Sequence, residues 1–174
     1  GDFVECGVYM GGSSAIMMYT AKQLGLSPTM WMYDTYSGVP EPDESETFYD
    51  GTSVKEWYNQ NDEPWCYSSL EDVKLNIEEF VEGYPGEIKY IKGMVEDTIP
   101  QNIPDQISIL RIDVDLVNPT RHVLDNLYER VVPGGHIILD DYGHFPEVKK
   151  TVDEFFDNKK YIFRVDKNCR HIVK

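Results

Sequence analysis

The sequence predicts an α/β fold: a mostly parallel sheet covered by helices on both faces, with an antiparallel hairpin at one edge. Three observations carry that expectation. Short β-type apolar runs alternate with segments whose apolar residues recur at helical spacing. The strand runs are continuously apolar, as in strands buried on both faces. Two runs end abruptly in acid, Ile-Leu-Arg-Ile-Asp-Val-Asp at 109–115 and Ile-Ile-Leu-Asp-Asp-Tyr-Gly at 137–143.

Phe3–Cys6 reads as the first strand, and a glycine-rich turn leads from it into a helix around Ser14–Leu24. Gly25 is a reasonable stop, because glycine is free to adopt positive φ. Met30–Tyr33 is the second strand and ends at Asp34. Residues from about 40 to 68 are too many for a plain connection, so they read as a lid or substrate-facing insertion. Leu70, Val73, Ile77, Phe80 and Val81 then recur at helical spacing, with Leu75 less regular and Ser68 or Ser69 as N-cap. Ile88–Ile91 and Ile107–Ile112 are strands three and four. Asn118-Pro119 marks a helix start, since Asn caps free N–H groups and Pro at the first position loses no bond. Val123, Leu124, Leu127, Tyr128 and Val131 form its buried stripe, and Pro133-Gly134-Gly135 stops it. His136–Leu139 is the fifth strand. A helix around Glu147–Phe156 follows, then short strands near Tyr161–Val165 and His171–Val173 joined by Asp166-Lys167-Asn168.

The 174 residues and 41% hydrophobic fraction suit a single domain over 1–174 with a real core. A net charge of −15 argues against nucleic acid and against an anionic membrane surface. Cys6, Cys66 and Cys169 are too few and too scattered for a disulfide framework or a zinc site, so a reducing, cytoplasmic setting is expected. No apolar run reaches the roughly 18 residues of a membrane span. The chain begins without Met and runs straight into a strand, which points to an N-terminal element missing from this stretch.

Asp140 and Asp141 follow Asp113 by 27 and 28 positions (140 − 113, 141 − 113), with a helix between. If the two strands are parallel neighbours, these carboxylates emerge at one sheet edge, an oxygen-rich site for a hard divalent cation such as Mg²⁺. Open α/β sheets bind ligands at that edge. The turn Glu5-Cys6-Gly7-Val8-Tyr9-Met10-Gly11-Gly12 lets backbone approach a ligand but lacks the Gly-x-Gly-x-x-Gly dinucleotide pattern. A nicotinamide cofactor is thereby disfavoured. Asp34 stands where a carboxylate can hold both hydroxyls of a ribose, and Glu96 and Asp97 where an acceptor can meet an adenine amino group.

These residues resemble the class I S-adenosylmethionine-dependent methyltransferases, and more narrowly the macrocin O-methyltransferase (TylF-type) family. The matching segments are Phe3 to Tyr9 with the following Gly-Gly-Ser, Tyr33 to Pro40, Gly93 to Pro100, Leu110 to Asp115, and Pro133 to Gly135 through Asp140 to Gly143; Val152 to Phe155 also fits. The resemblance implies a Rossmann-like fold with a seven-stranded sheet. It implies S-adenosylmethionine contacts from Glu5, Gly7 and Asp34, with Val95 and Glu96 near the adenine; Cys6, Tyr9, Gly38 and Asp97 complete the expected cofactor set. It also implies Mg²⁺ on Asp113, Asp140 and Asp141, gripping vicinal oxygens of a small-molecule acceptor, a sugar in the family's characterised members. Asp113 is the first expected base and Asp115 the second. Relatives often dimerise, so a homo-oligomer is compatible.

Two departures stand out. The family continues its Asp-x-Asp run with Tyr-Glu-Ser-Thr, where this chain has Val117-Asn118-Pro119-Thr120, and no histidine lies between Asp34 and Arg121 to act as an insertion-borne base. His144 sits at the right edge, either as a substitute or as a cap of the next helix. His122, His136 and His171 read as structural. Trp57, Tyr58, Trp65 and Tyr67 are either an aromatic wall for a sugar or the insertion's own core. A catechol-like or nitrogen acceptor, or a binding module without turnover, remain alternatives.

Overall fold

The computed structural model describes residues 1–157 and 161–174. Seven strands, β1 (Asp2–Cys6), β2 (Met30–Asp34), β3 (Ile88–Lys92), β4 (Ile107–Ile112), β5 (Val131–Leu139), β6 (Phe163–Arg164) and β7 (Arg170–Val173), form one sheet in the order β3-β2-β1-β4-β5-β7-β6. β1 to β5 run parallel, and β7 pairs antiparallel with β5 and β6. The chain builds outward from β1 to β3, then returns to lay β4 on the other side of β1. The crevice at that reversal is where such sheets take their ligands.

Side chains alternate across the sheet with period two. Val4, Cys6, Leu110, Ile112, Ile137 and Leu139 face a core shared with α5 (Val117–Leu127) and α6 (Pro146–Phe156). Met30 and Met32 face the other way, packing with Met18 of α1 (Gly12–Gln23) and Val73 and Ile77 of α3 (Leu70–Phe80). Ser69 caps α3, accepting from the Asp72 N–H. Gly25, at φ 69, closes α1 with Leu26 N–H donating to the Ala21 carbonyl. His136 Nδ1 and His171 Nε2 lie 2.7 Å apart on β5 and β7, and His122 lies within α5.

The insertion carries a helix of its own, α2 (Val54–Gln60), and Ser53 accepts from the Glu56 N–H. Two expectations need correction. α5 begins before Asn118, with Leu116 at the capping position, and its Val117 N–H donates to Glu46 Oε1 at 2.7 Å. A carboxylate from the insertion thus does the work expected of Asn118. Pro133-Gly134-Gly135 does not stop that helix. A 3₁₀ turn over Tyr128–Arg130 does, and the Pro-Gly-Gly run lies within the longer β5. A short α4 (Val95–Thr98) follows β3. Among the described residues no helix is long and apolar enough to cross a membrane.

Candidate active site

The C-terminal ends of β1, β2, β4 and β5 and the insertion enclose a cavity of about 510 Å³. Gly7, Tyr9, Asp34 and Gly38 line one side; Val95 and Glu96 of α4 sit beside them; Asp113, Asp115, Asp140 and Asp141 line the other. The insertion contributes Phe48, Trp57 and Trp65.

Gly7 has φ 83, and a Cβ there would lie 1.6 Å from the Asp113 carbonyl oxygen. Only glycine lets the β1 turn pass the end of β4 this closely. Asp34 holds the turn from β2: Oδ2 accepts from the Val8 and Tyr9 N–H groups at 2.6 and 3.1 Å, and Oδ1 from Tyr36 N–H at 2.6 Å. Gly38, at φ 97, lies against the Trp65 carbonyl. Glu96 Oε2 is buried on the cavity wall without a hydrogen-bond partner. Asp97 is exposed and stands off the cavity. Cys6 is fully buried in the core and Glu5 lies beneath the turn, so neither lines the cavity.

Arg111 of β4 ties the acidic residues together. Its Nη1 donates to Glu5 Oε1 at 2.8 Å and to Asp113 Oδ2, and its Nη2 to Asp140 Oδ1 at 3.0 Å. Ser14 of α1 donates to the other Glu5 oxygen. Burial outweighs these partners and pushes the Glu5 carboxyl up to about 7. Burial and neighbouring carboxylates also raise Asp113, push Asp115 up to about 7, and hold Asp141 well above the usual range. Asp141 Oδ2 accepts from the Asp115 N–H at 2.9 Å, and Asp115 sits at φ 59. Tyr9, Cys66 and Asp115, all cavity residues, have left-handed backbones; such strain gathers at functional sites.

Asp113, Asp140 and Asp141 each offer an oxygen within 4.8 Å of the others. One guanidinium serves this crowd of carboxylates; burial is the main cause that raises Asp113 and Asp141, and neighbouring carboxylates add to it. An all-carboxylate set of this kind suits Mg²⁺ better than a soft metal. The residues therefore fit the expected ion.

Phe48 meets Trp57 edge-on at 5.9 Å, Trp57 meets Trp65 at 5.2 Å, and both Phe48 and Trp65 lean on Phe145. Trp57 and Trp65 are thus the insertion's core and the cavity wall at once, whereas Tyr58 and Tyr67 stand off it. His144 packs against Phe48 and Phe145 and lines the cavity. Phe145, not His144, occupies the capping position of α6, and no side chain caps it.

The macrocin O-methyltransferase (TylF) family profile matches residues 1–172. This chain belongs to the macrocin O-methyltransferase family. Among family relatives, the demethyldecarbamoylnovobiocin O-methyltransferase of Streptomyces niveus is 31% identical over 172 residues, covering 97% of this chain and 64% of that protein. An 8-demethyl-8-(2,3-dimethoxy-alpha-L-rhamnosyl)-tetracenomycin-C 4'-O-methyltransferase of Streptomyces olivaceus is 31% identical over 82% of this chain and 53% of its own length. The mycinamicin III 3''-O-methyltransferase of Micromonospora griseorubida is 29% identical over 90% and 61%. The chain thus spans about half to two thirds of the length of the curated relatives it matches. The solved O-methyltransferase NovP superposes with a TM-score of 0.84 at 27% identity, over all of this chain and 72% of that one. The fold is accordingly the Rossmann-like class I methyltransferase fold. Calicheamicin methyltransferase CalS11 shares it at a TM-score of 0.68 and 16% identity, over 99% of this chain and 72% of that one.

Within this family framework, three residues escaped the sequence reading. Arg111 lay unremarked inside the Leu-Arg-Ile-Asp motif, although a cation between two acid-bearing strand positions was a signal. Phe48 lay in the insertion with no periodicity to expose it. Asn168, expected only as part of a hairpin turn, reaches the cavity edge.

Proposed function

We propose that this chain is the methyl-transfer core of a Mg²⁺-dependent enzyme that methylates a hydroxyl of a small polyhydroxylated acceptor, a sugar or a glycosylated natural product. The observation that carries this reading is the acidic corner, three carboxylates with oxygens within 4.8 Å, opening onto one cavity with Asp34, Glu96 and the aromatic wall. Family membership supports the transfer chemistry. The curated relatives are named O-methyltransferases, and the tetracenomycin relative's name carries a rhamnosyl group.

Asp34 keeps lone-pair capacity beyond its three backbone donors and in this reading holds the ribose hydroxyls of S-adenosylmethionine. Gly7, Tyr9 and Gly38 shape the same side, Val95 would pack on the adenine, and the unpartnered Glu96 oxygen would accept from its amino group. S-adenosylmethionine would supply an electrophilic methyl, and Mg²⁺, which Asp113, Asp140 and Asp141 would hold, would supply Lewis-acid charge to an acceptor hydroxyl. Phe48, Trp57 and Trp65 give the apolar face of a sugar somewhere to rest and keep water off the acids. Proton removal falls to Asp115 rather than Asp113. Asp113 is held by Arg111, whereas Asp115 lines the cavity outside that ion pair, placed to take a proton as a general base. His144 is second in line. The −15 charge argues against nucleic acid or an anionic membrane surface as the partner. The three free cysteines are consistent with a reducing, cytoplasmic setting.

The test is calorimetric titration of S-adenosylmethionine and S-adenosylhomocysteine with and without Mg²⁺, followed by labelled-methyl transfer to sugars carrying vicinal diols. Binding of both, with transfer abolished by chelator and by Asp141→Ala, is the expected result. Binding without transfer to any acceptor indicates a cofactor-binding module. Full activity of Asp113→Ala, Asp140→Ala and Asp141→Ala in chelator sinks the metal.

A further inference from the structure

We propose that Arg111 is the positioning residue of the acidic corner: its guanidinium, anchored behind by Glu5, fixes the Asp113 and Asp140 carboxylates in the arrangement that receives the cation. The proposal rests on the reading of that corner as a cation site.

The placement follows from strand geometry. Glu5 and Arg111 are register partners on β1 and β4, and Arg111 is paired with Ile138 on β5. Asp113 lies two residues beyond Arg111 and Asp140 two beyond Ile138, so period two sends all four polar side chains toward the same side of the sheet. The planar fork then reaches three carboxylates at once. Nη1 serves Glu5 and Asp113, and Nη2 serves Asp140. Arg111 engages Oδ2 of Asp113 and Oδ1 of Asp140, leaving the second oxygen of each outside its hydrogen bonds. Glu5 is 1% exposed and is itself held by Ser14, so the fork is braced from the core side. A single ammonium point charge cannot meet this geometry.

A second role is available for the same side chain, as a counter-charge that merely quiets the acidic cluster. The two roles predict opposite signs. Removing one positive charge beside a cation site tightens cation binding by Coulomb's law, whereas releasing carboxylates from their supporting hydrogen bonds weakens it.

The experiment is calorimetric titration of Mg²⁺ into the wild-type chain, Arg111→Gln and Arg111→Lys, with circular dichroism melts on each. Positioning predicts cation affinity weakened about 10- to 100-fold in Arg111→Gln, with no recovery in Arg111→Lys, which restores charge without the fork. Unchanged or tighter binding in Arg111→Gln overturns the proposal, as does wild-type affinity in Arg111→Lys. Should Arg111→Gln fail to fold, Arg111→Lys decides alone. A wild-type chain that takes up no Mg²⁺ overturns the cation reading together with this proposal. Wild-type uptake matched by the variants overturns this proposal alone.

Discussion

Gly7 makes the tightest backbone approach around the cavity, its absent Cβ being what allows β1 to turn against the carbonyl of Asp113. Gly7→Ala combines a left-handed backbone with a collision against main chain that cannot rotate away. It is expected to lower stability by about 3 kcal/mol or more, measured by chemical denaturation; a loss under about 1 kcal/mol would mean the turn can relax. Glu5 gives a pH-dependent counterpart. Its carboxyl titrates near 7 in the fold against an ordinary 4.5, so the fold prefers the neutral form. That preference contributes stability fully below about 4.5 and loses it as pH rises through about 7. The difference corresponds to about 3 kcal/mol. Glu5→Gln, which mimics the neutral form, is expected to melt higher than wild type at about pH 8.5 and to lose that advantage by about pH 4.5. An equal advantage at both would show that folding leaves the Glu5 carboxyl unshifted. Asp34 and the three clustered acids stood out in the sequence because each ends a strand. The partners that determine how they behave, Arg111 and the backbone donors, did not, because register and turn geometry create those contacts.

Among the elements, the insertion is fastened by carboxylates. Glu46 accepts from Val117 N–H at the start of α5 and from Asp43 N–H at 3.0 Å, and Glu147 of α6 accepts from both N–H and hydroxyl of Thr47. Glu46→Ala removes the acceptor of two partly buried hydrogen bonds and uncaps α5. It is expected to cost about 1–3 kcal/mol and to change the fluorescence of Trp57 and Trp65, which that segment carries. A melt shifted with unaltered fluorescence would place the loss in α5 alone. β1 to β4 and the second half of β5 were legible because their apolar runs mark them, whereas Val131–Gly135 of β5 was not, its Pro-Gly-Gly reading as a helix stop. α3, α5 and α6 each keep an apolar stripe, whereas α1 was legible from the glycine-rich turn before it and Gly25 after it. α2 is seven residues long and shows one fully buried apolar residue, Val54, so periodicity could not reveal it. Its Ser53-x-x-Glu56 start was the signal available. The start of α5 was misjudged for a different reason: its cap arrives from a residue far away in sequence.

For the molecule as a whole, the −15 charge and the acidic corner make distinct demands on ions. Monovalent salt screens general repulsion, whereas a bound divalent ion adds stability by mass action, about 2.7 kcal/mol at a hundredfold excess over its dissociation constant. MgCl₂ is therefore expected to raise the melting temperature beyond KCl of matched ionic strength, and Asp141→Ala to erase the difference. Equal effects of both salts in the wild type would leave only screening. The order of strands carries a related consequence at the far end of the chain. Gly143, just past the acid pair, has no room for a Cβ because the Lys167 carbonyl would lie 2.1 Å away. Its N–H donates to the Asn168 carbonyl at 2.8 Å, and Arg170 lies over the Tyr142 ring at 4.8 Å. The β6–β7 hairpin, which looks like trim on the sheet's border, is thus a backing plate for Asp140 and Asp141. Editing residues 161–174, whether by shortening them or by fusing a tag that pulls on them, would reach the acidic corner from behind.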